Sequence, residues 1–104
     1  MIEQIYKLST GNEKAIERIL LEDAIHYLHM VLPEGEGLPV HDTNATVYMT
    51  VVRGRLNIAL NDQAPNEYEA GTMIKIPFQT KMHVRNLYPD TLELIVVKAP
   101  GPKN

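Results

Sequence analysis

The sequence predicts an all-β sandwich or barrel preceded by one short helix. Three features carry that expectation. From residue 24 onward apolar side chains recur with a period of two, the spacing of a strand with one buried face. Clusters of Gly, Pro, Asn and Asp cut the chain into short segments at regular intervals. The segments between them are rich in Val, Ile, Thr and Tyr, which favour extended backbone.

The elements follow in chain order. Ile2 to Leu8 alternates well enough for an edge strand. Thr10-Gly-Asn-Glu13 has the form of a capping box, and Ala15, Ile16, Ile19 and Leu20 follow at helical spacing, so a short helix is expected there. Ala24 to Leu32 alternates strictly, with His26, Leu28, Met30 and Leu32 on one face and Ile25, Tyr27, His29 and Val31 on the other. Pro33 to Pro39 is a turn region. Ala45 to Val52 is a long β segment, Gly54 punctuates it, and Arg55 to Leu60 alternates again. Asn61 to Gly71 is a second turn region. Thr72 to Pro77, Met82 to Leu87 and Thr91 to Ala99 complete the strands. Seven or eight strands are expected in all.

With 104 residues, 44% hydrophobic and 22% charged, the chain has the length of one domain, spanning 1–104, and an ordinary soluble composition. A chain this long buries roughly 65% of its unfolded surface, enough for one core with little reserve. A net charge of −3, with its ten Lys and Arg scattered, argues against a nucleic-acid partner. The absence of cysteine excludes disulfides, thiolate metal sites and cysteine nucleophiles. No signal-peptide pattern opens the sequence and no apolar run approaches a membrane span, so a cytoplasmic protein without a membrane partner is expected. A small barrel gains buried area by pairing, which makes a homodimer the expected assembly.

The middle of the chain resembles the cupin family. The family's first motif, Gly-x5-His-x-His followed by Glu and then Gly, corresponds to residues 35–54, where Gly35, His41 and Gly54 hold their places. Its second motif, Gly-x5-Pro-x-Gly-x2-His-x3-Asn, corresponds to residues 71–86, where Gly71, Pro77 and Asn86 are in register and Gln79 stands in place of glycine. The resemblance implies a double-stranded β-helix, a jelly-roll barrel of antiparallel strands. It also implies that four side chains point into the barrel, where the family binds a metal.

Carried over by position, those four are His41, Thr43, Val47 and Met82. A divalent first-row ion wants three or more imidazole or carboxylate donors at about 2 Å. Thr43 is a weak neutral donor, Val47 has none, and Met82 is a soft thioether. The expectation is therefore a barrel with no metal cofactor, whose mouth binds a small organic molecule through His41, Thr43, Val47 and Met82. His83 lies one residue past a ligand position, and a bulge near 79–82 would turn it inward to join His41 in a non-standard metal site. That arrangement would suit a dioxygenase or isomerase. A metal-free acid–base enzyme using His41, and a dimerising module using Thr46, Tyr48 and Thr50, are further readings. Met30, Met49, Met73 and Met82 read as core filling. Asn86 is expected to hydrogen-bond a neighbouring loop backbone.

Overall fold

The computed structural model describes residues 1–103 and contains nine strands and no helix among them. In chain order they are β1 (Ala15–Leu21), β2 (His26–Leu32), β3 (His41–Asp42), β4 (Val47–Arg53), β5 (Arg55–Leu60), β6 (Asn66–Glu69), β7 (Met73–Ile76), β8 (Lys81–Arg85) and β9 (Leu92–Lys98). All pairing is antiparallel. A five-stranded sheet runs β1-β2-β9-β4-β7, and a four-stranded sheet runs β3-β8-β5-β6. The alternation expected from the sequence is realised: Val47, Met49 and Val51 of β4, Leu92, Leu94 and Val96 of β9, and Leu28, Met30 and Leu32 of β2 are buried on one face. Leu56, Ile58, Met82 and Val84 of the other sheet meet them in one hydrophobic core.

Residues 15–21 form a strand where helical spacing predicted a helix. The pattern Ala15, Ile16, Ile19, Leu20 mimics a helix because β1 carries a bulge: its register against β2 shifts between Arg18 and Leu20. One extra residue in a two-residue repeat imitates a longer period. The capping box fails as well, since Gly11 has a φ of 102° and the Asn12 side chain is drawn to Arg53 at 2.7 Å. Pairing with β2 along six register positions outweighs the local signal. Two smaller differences accompany it. Residues 2–8 form no strand, and β6 lies inside the segment read as a turn.

The motif residues are scaffold. Gly54 has a φ of 82°, and a Cβ there would collide with the carbonyl oxygen of Thr91. Asn86 is fully buried; its amide donates to the carbonyls of Leu32 (2.9 Å) and Asp90 (2.8 Å), and its oxygen accepts from the Tyr88 amide (2.9 Å). It ties the end of β2 to the turn before β9. Gln79 adopts a φ of 62°, so the left-handed turn that suits the family's glycine is kept with a side chain on it.

Candidate functional site

Val47 is opposite both Ile76 and Lys98, so the loops 43–46 and 77–80 and the tail after Lys98 leave the barrel at a common end. They are stitched together there. The Thr43 amide donates to Thr80 O (2.9 Å), Gln79 N to Thr43 O (3.0 Å), Ala99 N to Thr46 O (3.2 Å) and Gly101 N to Asp23 O (3.0 Å). This end is the mouth.

The four positions implied by the resemblance lie at or just below it, in three different environments. Val47 and Met82 are buried in the apolar core. Thr43 is also buried, and its hydroxyl is spent on the loops, donating to Pro77 O (2.7 Å) and accepting from the Thr80 amide (2.9 Å). His41 is opposite Met82 in the ladder and so on the inner side of the four-stranded sheet, but at its edge and exposed. Its Nδ1 lies 2.8 Å from Pro39 O. His83 pairs with Ala59, one residue out of phase with Met82 and Leu60, which places it on the outer face. His41 and His83 therefore do not meet on one side of the sheet.

One exposed imidazole, one committed hydroxyl, a hydrocarbon and a thioether do not fit a divalent first-row metal ion. Among the described residues no group of three or more His, Asp and Glu is placed to hold an ion. No helix of the described residues is long and apolar enough to cross a membrane.

A concavity of about 530 Å³ opens beside the mouth, with Ala45, Thr46, Phe78, Pro100 and Pro102 on its walls and Asn44 and Lys103 at its rim. That volume suits a small organic molecule. Phe78 is 56% exposed there, a large aromatic face without cover. Asn44 Oδ1 accepts from Lys98 Nζ at 3.0 Å, and Lys98 has no carboxylate within salt-bridge distance among the described residues. Burial, and then the nearby Arg18 guanidinium, push the Lys98 pKa down. At the opposite end, concavities of about 450 and 470 Å³ are lined by polar side chains, among them Arg53, Asp90, Arg55 and Glu69.

A second cluster, invisible in the motifs, lies on the outer face of the five-stranded sheet. Glu17 (β1), His29 (β2), Glu93 (β9) and Arg53 (β4) contribute one side chain from each of four adjacent strands. Glu17 Oε1 is 2.6 Å from His29 Nδ1, Glu93 Oε2 is 2.6 Å from His29 Nε2, and Arg53 Nε donates to Glu93 Oε1 at 2.8 Å. A bulge between Val51 and Arg53 turns Arg53 outward; in an unbroken strand it would share the inner face with Val51. The Ser9 amide donates to Glu17, and the Arg53 guanidinium reaches Asn12 and the Gly11 carbonyl, so the segment before β1 is fastened across the row.

Both nitrogens of the fully buried His29 ring face carboxylates, which favours the imidazolium. Burial acts to lower its pKa, but the hydrogen bonds to Glu93 and Glu17 outweigh burial and raise it above the ordinary 6.5. The same bonds hold both carboxyls below 4.5. Because the two carboxylates sit on opposite ring nitrogens, they do not converge on one point as metal ligands would.

Comparison with known proteins agrees with the architecture. No family model matches the sequence. An uncharacterised protein of Methanocaldococcus jannaschii is 36% identical over 104 residues, covering 99% of this chain and 90% of its own length. A crystal structure from the same organism, described as an RmlC-like cupin family protein with a double-stranded β-helix fold, superposes with a TM-score of 0.95 at 36% identity over 98% of this chain and 94% of that one. The chain belongs to the RmlC-like cupin family. A double-stranded β-helix protein from Klebsiella pneumoniae shares the fold at a TM-score of 0.81 and 15% identity, over 95% of this chain and 91% of that one. The cupin domain of Schizosaccharomyces pombe Cnp3 does so at 0.75 and 13%, over 88% of this chain and 65% of that one.

Proposed function

We propose that the chain is a metal-free cupin that binds a small organic molecule at the barrel mouth, in the concavity beside Thr43 rather than among Val47 and Met82. The observation that carries this is the mouth cavity itself: apolar walls from Ala45, Phe78, Pro100 and Pro102 next to a polar rim. Apolar walls with a few placed polar groups are the usual composition of a ligand pocket. Val47 and Met82 form the packed floor and leave no donor for a metal. Lys98 and Lys103 favour a ligand with an anionic group, since Lys98 is partly desolvated and carries no counter-charge. Such a domain acts as a sensor, carrier or accessory module.

The test is a thermal-shift screen of small carboxylates with aromatic or aliphatic bodies, followed by NMR titration of any compound that stabilises the fold. Shifts confined to 44–46, 78 and 98–103, lost in Phe78→Ala and Lys98→Met, are expected. Binding mapped to the outer faces, or no stabilisation by any compound, would remove the proposal.

A further inference from the structure

We infer that Lys98 is a nucleophile whose amine condenses with the carbonyl group of a small 2-oxo acid in the mouth concavity, forming a reversible Schiff base. The inference rests on the mouth-binding reading above and adds a reactive group to its ligand.

Strand register places the amine. Leu92, Leu94 and Val96 of β9 are buried on the core face, and Lys98, two residues further on, continues that face. In the ladders it stands opposite Val47 of β4 and His26 of β2. Lys98 therefore tops the apolar wall at the mouth. Its Nζ donates to Asn44 Oδ1 at 3.0 Å, and Asn44 lies at the rim of the 530 Å³ concavity. The tail folds back over this corner: a Cβ on Gly101 would sit 2.9 Å from the His26 ring.

The surroundings favour the uncharged amine. Five of the six lysines are exposed, Lys14 paired with Glu36 at 2.9 Å and Lys75 lying over the Tyr48 ring; Lys98 alone is partly buried. Its hydrogen-bond partner is a neutral amide oxygen, and no carboxylate lies within 4.0 Å of it among the described residues. Arg18 of β1 shares the face of Leu28, His26 is the ladder neighbour, and Lys103 is on the rim. Glu22 and Asp23 meet the tail through their backbone carbonyls. Burial, and then Arg18, lower the Lys98 pKa, so more of it is neutral near pH 7 than of an ordinary lysine. Desolvation and a neighbouring cation are the two means by which a lysine becomes nucleophilic.

The reaction balances without an oxidant or reductant. The nitrogen lone pair attacks the carbonyl carbon, a C–N bond forms, and the π pair passes to oxygen. A proton moves from nitrogen to that oxygen, giving a carbinolamine. The C–O bond then breaks, and the oxygen leaves as water with the remaining amine proton, leaving C=N. A carboxylate beside the carbonyl suits the site because Arg18 and Lys103 supply positive charge while Lys98 is engaged in the imine. The walls of Ala45, Phe78, Pro100 and Pro102 accept the rest of the molecule.

The test is intact-mass spectrometry and peptide mapping of the full chain after incubation with pyruvate and cyanoborohydride, which reduces the imine to a stable amine. One reduced adduct per chain is expected, on Lys98, formed at least about 10-fold faster than on any other lysine. Its rate should rise with pH through a midpoint below the ordinary 10.5, and Arg18→Gln should move that midpoint upward. Lys98→Arg keeps the positive charge but cannot form the imine, so it should abolish the adduct while NMR shifts at 44–46 and 98–103 persist. Labelling spread evenly over the lysines, or confined to the Met1 amine, would overturn the inference. Pyruvate shifts at the mouth with Lys98 unmodified would remove the covalent step and leave mouth binding standing. No shift with pyruvate or with any carboxylate would remove both.

Discussion

On the inner face of the five-stranded sheet, Leu28, Met30, Val47, Met49, Leu94 and Val96 form a wall with no ionisable group. On the outer face of those three strands (β2, β4 and β9) and the edge strand β1, Glu17, His29, Glu93 and Arg53 form a row of alternating charge beneath the amino-terminal segment. The two faces show that burial alone does not decide which chemistry a position tolerates. His29 is as fully buried as Met49. The inner face has nothing to balance a charge, so only apolar side chains fit. The outer face supplies a counter-charge from each neighbouring strand, so an imidazolium is accommodated. In this cupin the paired ionisable groups lie on the outer face of the sheet, and of the four positions singled out by the motif resemblance the two that reach the core, Val47 and Met82, are hydrocarbon and thioether.

Exchanging the character of the faces should produce the largest effects. Val47→Glu sets a carboxylate into the dry wall beside Ile76 and is expected to cost on the order of 5 kcal/mol in urea unfolding. A variant losing less than about 1 kcal/mol would mean that water reaches this position. His29→Ala removes the imidazolium between Glu17 and Glu93, leaving Glu17 without a cation and Glu93 with Arg53 alone. A loss of about 3 kcal/mol is expected by the same measurement.

The pH dependence sharpens the comparison, because the charged row on the outer face titrates in the acid and neutral range. His29 has its folded pKa raised, so its contribution is complete below 6.5 and is lost as pH rises through the higher folded value. Glu17 and Glu93 have theirs lowered, so their contribution is present above 4.5 and lost as pH falls through the lower folded values. Stability should peak between about 4.5 and 6.5 and decline on both sides. Melting temperatures across pH should show His29→Ala without the alkaline decline; an unchanged alkaline limb would assign it elsewhere. The smallest effect belongs to the mouth. Gln79→Gly relieves a left-handed residue and should raise stability by somewhat under 1 kcal/mol, roughly the strain less the added chain entropy.

The barrel was legible because its signal is local: the period-two strands and the glycine, proline and asparagine landmarks at 35, 54, 71, 77 and 86 are readable one segment at a time. Two bulges defeated that reading. At Ile19 the extra residue turned a strand into an apparent helix, and at Val52 it reversed the face of Arg53. The charged row was beyond reach for a related reason. Glu17, His29, Arg53 and Glu93 are far apart in sequence and meet only through strand order and register, which no single segment encodes. His29 looked like one of two histidines on opposite strand faces, and nothing nearby in the chain announces its partners.

The metal-to-protein ratio of chain purified from metal-replete medium tests the central claim about the barrel interior most directly. With His41 at the rim, Thr43 committed to the loops, and Val47 and Met82 in the core, a ratio far below one ion per chain is expected. A stoichiometric transition metal that is lost on His41→Ala would contradict it.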